Sequence, residues 1–174
     1  MHDIYQKTLT KPLVFDGIGL HSGVKSKVTV YPGNEDQGIV FKRIDLKNNN
    51  FVYPNFANVS NTSLNTTVEN EFGAKVSTIE HLMGALFGLG IDNALIEIDN
   101  EEVPILDGSA KIFIEKILSL GIKVSDSPIK IIKINKEVTF SNGVRSITIK
   151  PSTLNLEIDF QLKYKNEIIG NQKN

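Results

Sequence analysis

The sequence predicts an α+β fold. Segments with the alternating apolar pattern of strands come first, a helix–strand–helix stretch follows, and further strand patterns complete the chain. With 174 residues, 40% of them hydrophobic, the chain can bury a core as one domain or two small ones. The polar, proline-ended stretch Ser125–Pro128 is the best predicted boundary, and it separates a first domain (1–125) from a second (129–174).

The predicted strands lie on both sides of the helical stretch. Each is a short run of alternating or β-branched apolar residues that is bounded by turn-forming residues. In chain order they are Val28–Tyr31, Gly38–Phe41, Ala94–Ile98, Ile129–Ile134, Glu137–Phe140, Arg145–Ile149 and Leu154–Leu162.

The first predicted helix follows Ser77. The spacing of Ser77 and Glu80 is that of a capping box, in which each side chain satisfies a backbone N–H of the first turn. The segment is apolar almost all round and ends near Gly88 or Gly90. The sequence therefore predicts a buried helix with a capped start.

The second predicted helix follows Ser109, which is the predicted N-cap. Phe113 and Ile117 stand four residues apart, so they share one face of the helix. Gly121 marks the stop, as glycine commonly does just past a helix end. The pattern predicts a helix that covers a core with one apolar face.

A short internal repeat links the two predicted domains. Gly23–Pro32 resembles Gly143–Pro151 when one gap is allowed, and each copy is followed by a loop and another strand. A chance match of two β-hairpins and a true repeat both remain open. A true repeat would make the chain the front part of a two-domain protein, whose second copy lacks counterparts of both helices.

Composition excludes several classes of protein. The chain has 19 basic and 20 acidic side chains and no basic cluster, which argues against nucleic acid as a partner. The absence of cysteine excludes disulfides, thiolate metal sites and cysteine nucleophiles. No apolar run is long enough for a membrane span, and the N-terminus lacks the apolar core of a signal peptide. We expect a soluble cytoplasmic protein.

Two of the three histidines stand in informative surroundings, whereas His2 lies at the terminus. His21 belongs to Gly17–Gly23, where three glycines in seven residues indicate a backbone that closely approaches another group. A phosphate cradle and a tight loop between two strands both fit this segment, and the loop is the favoured alternative. The segment is neither a Walker loop nor a dinucleotide-binding motif.

His81 directly follows Glu80 at the start of the first predicted helix. A carboxylate beside a metal-binding histidine can take a proton from metal-bound water. The alternative is structural: Glu80 completes the capping box and His81 is a hydrogen-bonded core histidine. One histidine does not make a zinc site, which needs three protein ligands and water.

Five segments together resemble the UDP-3-O-acyl-N-acetylglucosamine deacetylases, a family of zinc enzymes of lipid A biosynthesis in Gram-negative bacteria. The resemblance runs from about Gln6 to the end of the chain, and the segments match the family in order and spacing. They are Gly17–Gly23, Thr62–Thr66, Ser77–Met83, Gly88–Asn93 and Glu102–Ala110.

The resemblance implies two α+β sandwich domains of similar topology with the active site between them, the second being incomplete here. It implies Zn²⁺ as the cofactor, with His81 as a zinc ligand and Glu80 as the catalytic base. It places His21 near the site in a supporting role, and Leu64 and Asn65 at the border of the cleft. The remaining ligands belong to a family motif that this sequence does not contain.

The implied reaction is zinc-dependent hydrolysis of the acetamide of an acylated UDP-N-acetylglucosamine. The resemblance implies a cytoplasmic monomer that makes transient contact with a membrane surface. We expect the 174-residue chain alone to be inactive, since it holds one predicted zinc ligand. Two alternatives remain: a non-catalytic sugar-nucleotide-binding module, and an unrelated structural α+β module with duplicated hairpins.

Overall fold

The computed structural model describes residues 5–152 and 156–173 and confirms the α+β class. The chain divides into two compact units, Met1–Ile129 and Lys130–Asn174, which we call the first and second units. His2, which the sequence placed at the terminus, lies outside the described residues. Neither helix of the described part is long and apolar enough to cross a bilayer.

The described residues form fourteen strands, two α-helices and one 3-10 turn at Phe56–Asn58. The helices are α1 (Glu80–Gly88) and α2 (Lys111–Leu120). The strands are β1 (Tyr5–Leu9), β2 (Leu13–Ile18), β3 (Lys25–Pro32), β4 (Ile39–Arg43), β5 (Phe51–Val52), β6 (Val59–Asn61), β7 (Thr67–Glu69), β8 (Lys75–Val76), β9 (Ala94–Ile98), β10 (Ile122–Pro128), β11 (Val138–Asn142), β12 (Arg145–Ile149), β13 (Gln161–Lys163) and β14 (Asn171–Lys173).

A five-stranded sheet in the order β2-β3-β9-β4-β5 forms the centre of the first unit. The pairs are antiparallel except β4 with β9, which is parallel. Side chains alternate between the two faces, so Ser26, Val28 and Val30 of β3 are buried while Lys25 and Lys27 are exposed. This alternation gives the sheet one apolar face for the helices to cover.

Both helices contribute to the same buried core as the sheet. Leu82 and Leu86 of α1 and Phe113 and Ile117 of α2 are at most 1% exposed, in one cluster with the sheet residues. The rings of Phe113 and Phe15 lie 4.8 Å apart at 55°. The predicted apolar face of α2 is therefore the face that packs on the sheet.

Smaller sheets complete the first unit. The strands β6, β7 and β8 form a three-stranded antiparallel sheet, and β1 pairs with β10. The segment predicted as the boundary, Ser125–Pro128, is the second half of strand β10, and the first unit ends directly after it at Ile129. The polar residues and the terminal proline of this segment fit a strand with one half-exposed face as well as they fit a loop.

The predicted starts of both helices are wrong in detail. In α1 the cap position is Ile79, without a side-chain cap, and Ser77 Oγ donates to the Glu101 carbonyl 3.4 Å away. The capping box is therefore absent. In α2 the cap position is Ala110, one residue beyond the predicted Ser109, although Ser109 Oγ does accept the Lys111 N–H at 3.1 Å.

Helix α1 is buried on one side and not all round. Leu82, Ala85 and Leu86 are buried, whereas Phe87 is 70% exposed. The apolar composition predicted complete burial, but only the face that these three residues share belongs to the buried core. The ends of both helices agree with the prediction, since α1 ends at Gly88 and Gly121 follows α2 with a positive φ of 95°.

The second unit contains two separate antiparallel hairpins among its described residues, β11 with β12 and β13 with β14. The strand predicted at Arg145–Ile149 has the predicted bounds. No strand forms at Ile129–Ile134, and within Leu154–Leu162 the described residues join a strand only from Gln161, while residues 154 and 155 lie outside the described part. An apolar sequence pattern is not sufficient for a strand, because a strand also needs a neighbouring strand with which to form backbone hydrogen bonds.

Both copies of the internal repeat begin at the turn of a β-hairpin. Gly23 precedes β3 and Gly143 precedes β12, with positive φ values of 67° and 60°. A left-handed backbone favours glycine, so the two turns use the same residue for the same reason. Each following strand pairs antiparallel with the strand before it.

We expect limited proteolysis to cut the second unit before the first. All residues of β11 and β12 are exposed, whereas the first unit holds the buried core. Local opening therefore costs less free energy in the second unit. Mass spectrometry of early fragments should find a trypsin-stable core that ends near residue 130. Equal resistance of residues 130–174 would contradict this expectation.

Candidate functional site

An open cleft of about 540 Å³ lies on the first unit. Its walls come from the β2–β3 loop, the segment before β7, the end of β8 and the loop after β9. The lining residues are His21, Ser22, Asn61, Ser63, Leu64, Asn65, Thr67, Ser77, Asn100, Glu101 and Glu102. Most of these side chains are polar and uncharged, which suits hydroxyl and amide groups of a ligand.

Backbone pairing places Glu102 at the base of this cleft. The backbone of Glu102 pairs with that of Ser77 in a single parallel β-bridge. The Ser77 N–H donates to the Glu101 carbonyl at 2.8 Å, and the Val103 N–H donates to the Ser77 carbonyl at 3.1 Å. The loop after β9 is thereby fixed against the end of β8, and Glu102 is only 3% exposed.

The Glu102 carboxylate binds the glycine-rich loop. Its Oε1 accepts the His21 N–H at 3.0 Å, and its Oε2 accepts the Ser22 N–H at 2.7 Å. The Gly17–Gly23 loop therefore connects β2 and β3, as the favoured alternative predicted, and the group that its backbone approaches is a carboxylate of the same chain. These two N–H groups are already occupied and are not a cradle for an external phosphate.

Hydrogen bonds keep the Glu102 carboxylate ionised. Burial acts to raise its pKa, but the donors from Ser22, His21 and Thr78 outweigh burial and lower the pKa of Glu102 from 4.5 to about 2. The site thus contains a permanent negative charge that is matched by N–H and O–H dipoles. This charge holds the loop in place. Because the carboxyl group carries no proton near neutral pH, it does not act as an acid there.

Gly19 permits the close approach of the loop to the carboxylate. A Cβ at this position would overlap Glu102 Oε2 and Ser22 Oγ and would lie 2.7 Å from Glu102 Cδ. The loop also closes on itself, because the Gly19 N–H donates to Val24 O at 2.9 Å and the Gly23 N–H to Gly19 O at 3.0 Å. Any side chain at position 19 would force the carboxylate away from its donors.

Thr78 extends the Glu102 network to the start of α1. Its hydroxyl donates to Glu102 Oε1 at 2.8 Å and accepts from Asn65 Nδ2 at 3.2 Å. Its φ is +54°, which is unfavourable for a β-branched residue and costs about 1–3 kcal/mol. Asn65 is itself fixed, because its Oδ1 accepts from Thr67 Oγ1 at 3.1 Å. The strained Thr78 is therefore held by Asn65 on one side and by Glu102 on the other.

Glu80 and His81 are the first two residues of α1, and Ile79 separates them from the strained Thr78. Glu80 is exposed and its Oε2 accepts the Thr66 N–H at 3.2 Å, so it contacts the segment that contains Leu64 and Asn65. His81 is half-buried. Neither side chain is sealed in the core, and neither is among the residues that line the cleft.

The protein-family profile described as "LpxC: UDP-3-O-acyl N-acetylglycosamine deacetylase" matches residues 6–174. The chain belongs to this family. Proteins named UDP-3-O-acyl-N-acetylglucosamine deacetylase from Nautilia profundicola and Citrifermentans bemidjiense are 44% and 43% identical to it, each over 97% of this chain. A protein of the same name from Geobacter sp. strain M21 is 42% identical.

The chain spans about half the length of the curated relatives that it matches. The alignments cover 56% of the Nautilia profundicola protein and 55% of each of the other two. Family membership thus rests on nearly the whole of this chain, while each relative has further sequence outside the match.

Four of the five segments that resemble the LpxC family contribute residues to the cleft, and Gly88–Asn93 does not. His21, Leu64 and Asn65 line it, and Glu80 contacts the same segment through the Thr66 N–H. Leu64 is 89% exposed with a positive φ of 73°, so it presents an apolar side chain beside polar walls. The roles that the resemblance assigns to these residues stay predictions.

Sequence reasoning missed Glu102. Glu102 is the first residue of a segment that resembles the family, and the sequence alone indicates no role for it. Two signals could have identified it: it precedes the apolar run Val103–Leu106, which implies partial burial, and the Gly17–Gly23 loop contains N–H groups that need an acceptor. Only the fold shows that the Glu102 carboxylate is the acceptor for these N–H groups.

No three His, Cys, Asp or Glu side chains come together within residues 5–152 and 156–173. His81 offers one imidazole, and a catalytic zinc site takes three protein ligands. The described part of the chain therefore does not form a complete zinc site by itself.

We expect Glu102→Gln to destabilise the first unit by about 3 kcal/mol at pH 7, from the lowered pKa of the buried group. In glutamine one carboxylate oxygen, an acceptor, is replaced by the amide Nε2, a donor. That NH₂ group would then face a backbone N–H, which is also a donor. Because the folded-state pKa lies below 4.5, the wild-type advantage is fully present above that pH and is lost as the pH falls towards 2.

Urea unfolding from pH 7 down to pH 2 measures this difference. Glu101→Gln is the matched control, because Glu101 is the exposed neighbour and its side chain does not bind the loop. A wild-type advantage over Glu102→Gln that stays constant down to pH 2 would contradict the assigned charge.

We expect Gly19→Ala to destabilise the first unit by about 1–3 kcal/mol, since the new methyl group overlaps the carboxylate and its donors. Gly84→Ala is the control. Gly84 lies in α1 with open space around its Cβ position, so alanine there should be neutral or stabilising by up to about 1 kcal/mol. Thermal unfolding compares the two variants, and equal midpoints would refute the packing role of Gly19.

Proposed function

We propose that the chain is the N-terminal part of a zinc-dependent UDP-3-O-acyl-N-acetylglucosamine deacetylase, acting in lipid A biosynthesis in a Gram-negative bacterium. The main support is that four family motifs, widely separated in sequence, converge on one cleft. The glycine-rich loop, the Thr62–Thr66 segment, the start of α1 and the Glu102 segment are joined there by the hydrogen bonds of Glu102, Thr78 and Glu80.

Within this proposal, Glu80 is the general base. Its carboxylate is exposed and is oriented by the Thr66 N–H, so it can accept a proton from water while it stays in place. Its position in the first turn of α1, beside His81, follows from the strained Thr78 turn. Hydrogen bonds to Glu102 and Asn65 hold that turn, so they act as positioning contacts for Glu80.

His81 is the proposed zinc ligand of this chain. A zinc ion would supply polarisation of the acetamide carbonyl and a bound water of lowered pKa. The described residues do not supply the other ligands, so no metal-dependent step is assigned to this chain alone. We accordingly propose that the isolated chain does not deacetylate.

The proposed substrate is an acylated UDP-N-acetylglucosamine. Polar cleft residues such as Asn61, Ser63 and Asn100 can bind sugar hydroxyl and amide groups, and exposed Leu64 offers contact to an acyl chain. His21, on the loop held by Glu102, supports one wall. The rest of the proposal is a cytoplasmic monomer that touches a membrane surface transiently and does not bind nucleic acid.

The test needs a complete protein, which a chimera provides: this chain followed by the part of the Nautilia profundicola relative that lies beyond the matched region. Acetate release from the acylated UDP-sugar is measured together with bound zinc. We expect Glu80→Gln to lower turnover by about 10²–10⁴-fold with zinc retained, since a general base contributes that much. We expect His81→Ala to lose zinc.

Glu71→Gln is the control for the loss of one exposed carboxylate. Full turnover in the Glu80→Gln chimera, or full zinc content in the His81→Ala chimera, would remove the corresponding role. Acetate release by the isolated 174-residue chain that a chelator abolishes would overturn the proposed inactivity.

A second candidate is a non-catalytic module that binds sugar nucleotides. The observation in its favour is that the described residues bring no three His, Cys, Asp or Glu side chains together as a metal site. Binding of UDP-N-acetylglucosamine to the isolated chain, measured by calorimetry, combined with a chimera that releases no acetate, would favour this alternative.

A further inference from the structure

The side-chain amide of Gln6, in strand β1, is buried and uses its full hydrogen-bonding capacity. Gln6 is 4% exposed. Its Nε2 donates to Pro128 O at 2.8 Å and to Asp36 Oδ1 at 3.0 Å. Its Oε1 accepts from the Asp36 N–H at 2.9 Å and from Asn93 Nδ2 at 2.8 Å. A primary amide offers two donor hydrogens and two acceptor lone pairs, and all four are engaged here.

These four hydrogen bonds join three segments that are remote from Gln6 in the sequence. Asp36 belongs to the β3–β4 loop, Asn93 directly precedes β9, and Pro128 is the last residue of β10. Their separations from Gln6 are 30, 87 and 122 residues. The register of the β1–β10 pair also shifts at Gln6, an irregularity of the kind that re-aims a side chain.

The contact with Pro128 lies where the chain leaves the first unit. That unit ends at Ile129, so we call residues 127–129 the exit segment. A second side-chain contact holds the same segment, because Ser127 Oγ donates to Glu35 Oε2. The exit segment is therefore fixed by Gln6 of β1 and by the β3–β4 loop together.

The same network holds the connection between α1 and β9. This connection follows the helix whose second residue is His81. Asn93 in the connection donates to Gln6, and its neighbour Asp92 exchanges two hydrogen bonds with the backbone of Lys7. Asp92 Oδ2 accepts the Lys7 N–H at 2.7 Å, and the Asp92 N–H donates to Lys7 O at 2.9 Å. One side chain thus links the exit segment to the chain that follows the helix of the proposed zinc ligand.

We propose that Gln6 is a positioning residue for the zinc site, because it fixes the exit segment relative to the connection that follows α1. The inference rests on the proposed function, in which His81 shares zinc with ligands from sequence beyond this chain. The polypeptide that leads to those ligands leaves the first unit at the exit segment. Its position and direction there bear on where the ligands lie, and a displacement of about 1 Å can cost about 10²-fold in rate.

Hydrogen exchange of the isolated chain tests the hold on the exit segment without metal or activity. Gln6→Met keeps a side chain of similar length and removes all four hydrogen bonds. We expect it to accelerate exchange of the amides in residues 124–127 about tenfold or more, because the end of β10 then opens locally at lower cost.

Thr8→Val is the matched control on the same strand. Thr8 is buried, and its hydroxyl donates to Asn93 O at 2.7 Å and accepts the Gly33 N–H at 2.8 Å, so this variant also loses buried hydrogen bonds. Its side chain does not bind the exit segment. We expect Thr8→Val to change exchange in residues 124–127 less than about twofold.

The chimera described above tests the positioning role. Zinc affinity is measured by competition with a chelator, and kcat and KM are measured from acetate release. We expect Gln6→Met to weaken zinc binding and to lower kcat by about tenfold or more each, and Thr8→Val to stay within about twofold of wild type. KM should change less than kcat in Gln6→Met, since Gln6 does not line the cleft.

Gln6→Glu provides a second variant of the same shape. It keeps an acceptor oxygen for Asp36 and Asn93, but it places an oxygen in front of the Pro128 carbonyl where the donor stood. We expect the same faster exchange of residues 124–127 and the same weakening of zinc binding. Urea unfolding of every variant verifies that the measurements are made on folded protein.

Unchanged exchange at the end of β10 in the Gln6 variants would overturn the inference. Equal losses of zinc affinity in Gln6→Met and Thr8→Val would also overturn it, as would loss of the fold in both Gln6 variants, which would make Gln6 a stabilising residue only. A wild-type chimera that binds zinc but releases no acetate would refute the proposed reaction alone, because the exchange and zinc comparisons still decide the role of Gln6. A wild-type chimera without zinc would overturn both.

Discussion

The carboxylate of Glu102 is the constraint on which the cleft depends, because two separate segments direct three donors to it. The glycine-rich loop provides two backbone N–H groups, and the turn before α1 provides the Thr78 hydroxyl. A buried charge with fewer donors would be costly, and donors without the charge would be left unsatisfied. The carboxylate and its donors therefore stabilise each other, and the same hydrogen bonds lower the pKa of Glu102.

This network also explains how a strained backbone comes to stand beside the candidate catalytic residues. Thr78 adopts a positive φ that a β-branched residue tolerates poorly, and bonds to Asn65 and Glu102 hold it there. The turn directs the chain into α1 with Glu80 as its first residue. Glu80 is consequently positioned by the tertiary network, and its own contact with the Thr66 N–H replaces the local capping box that the sequence indicated.

The two units use one strand pattern with opposite results. In the first unit helix α2 packs on the β2–β3 hairpin and Phe15, Val28 and Val30 are fully buried, while in the second unit the side chains of Phe140, Ile147 and Ile149 are exposed. Alternation of apolar and polar residues sets which face a strand offers, but burial is what stabilises it. The strand at Ile129–Ile134 that did not form illustrates the same point, because an apolar run without a partner strand has no ladder to join.

The sequence by itself determined the α+β class, the extents of β9 and β12, the ends of both helices and the family to which the chain belongs, since periodicity, glycine and motif spacing are local properties. It did not predict the helix caps, the β10 strand or the role of Glu102. These depend on residues that are remote in the chain: β10 requires β1 as a partner, and Glu102 binds a loop 80 residues away. Hydrogen bonds across such separations form only once the fold has brought the donors to the acceptor, and for that reason the tertiary structure alone decided them.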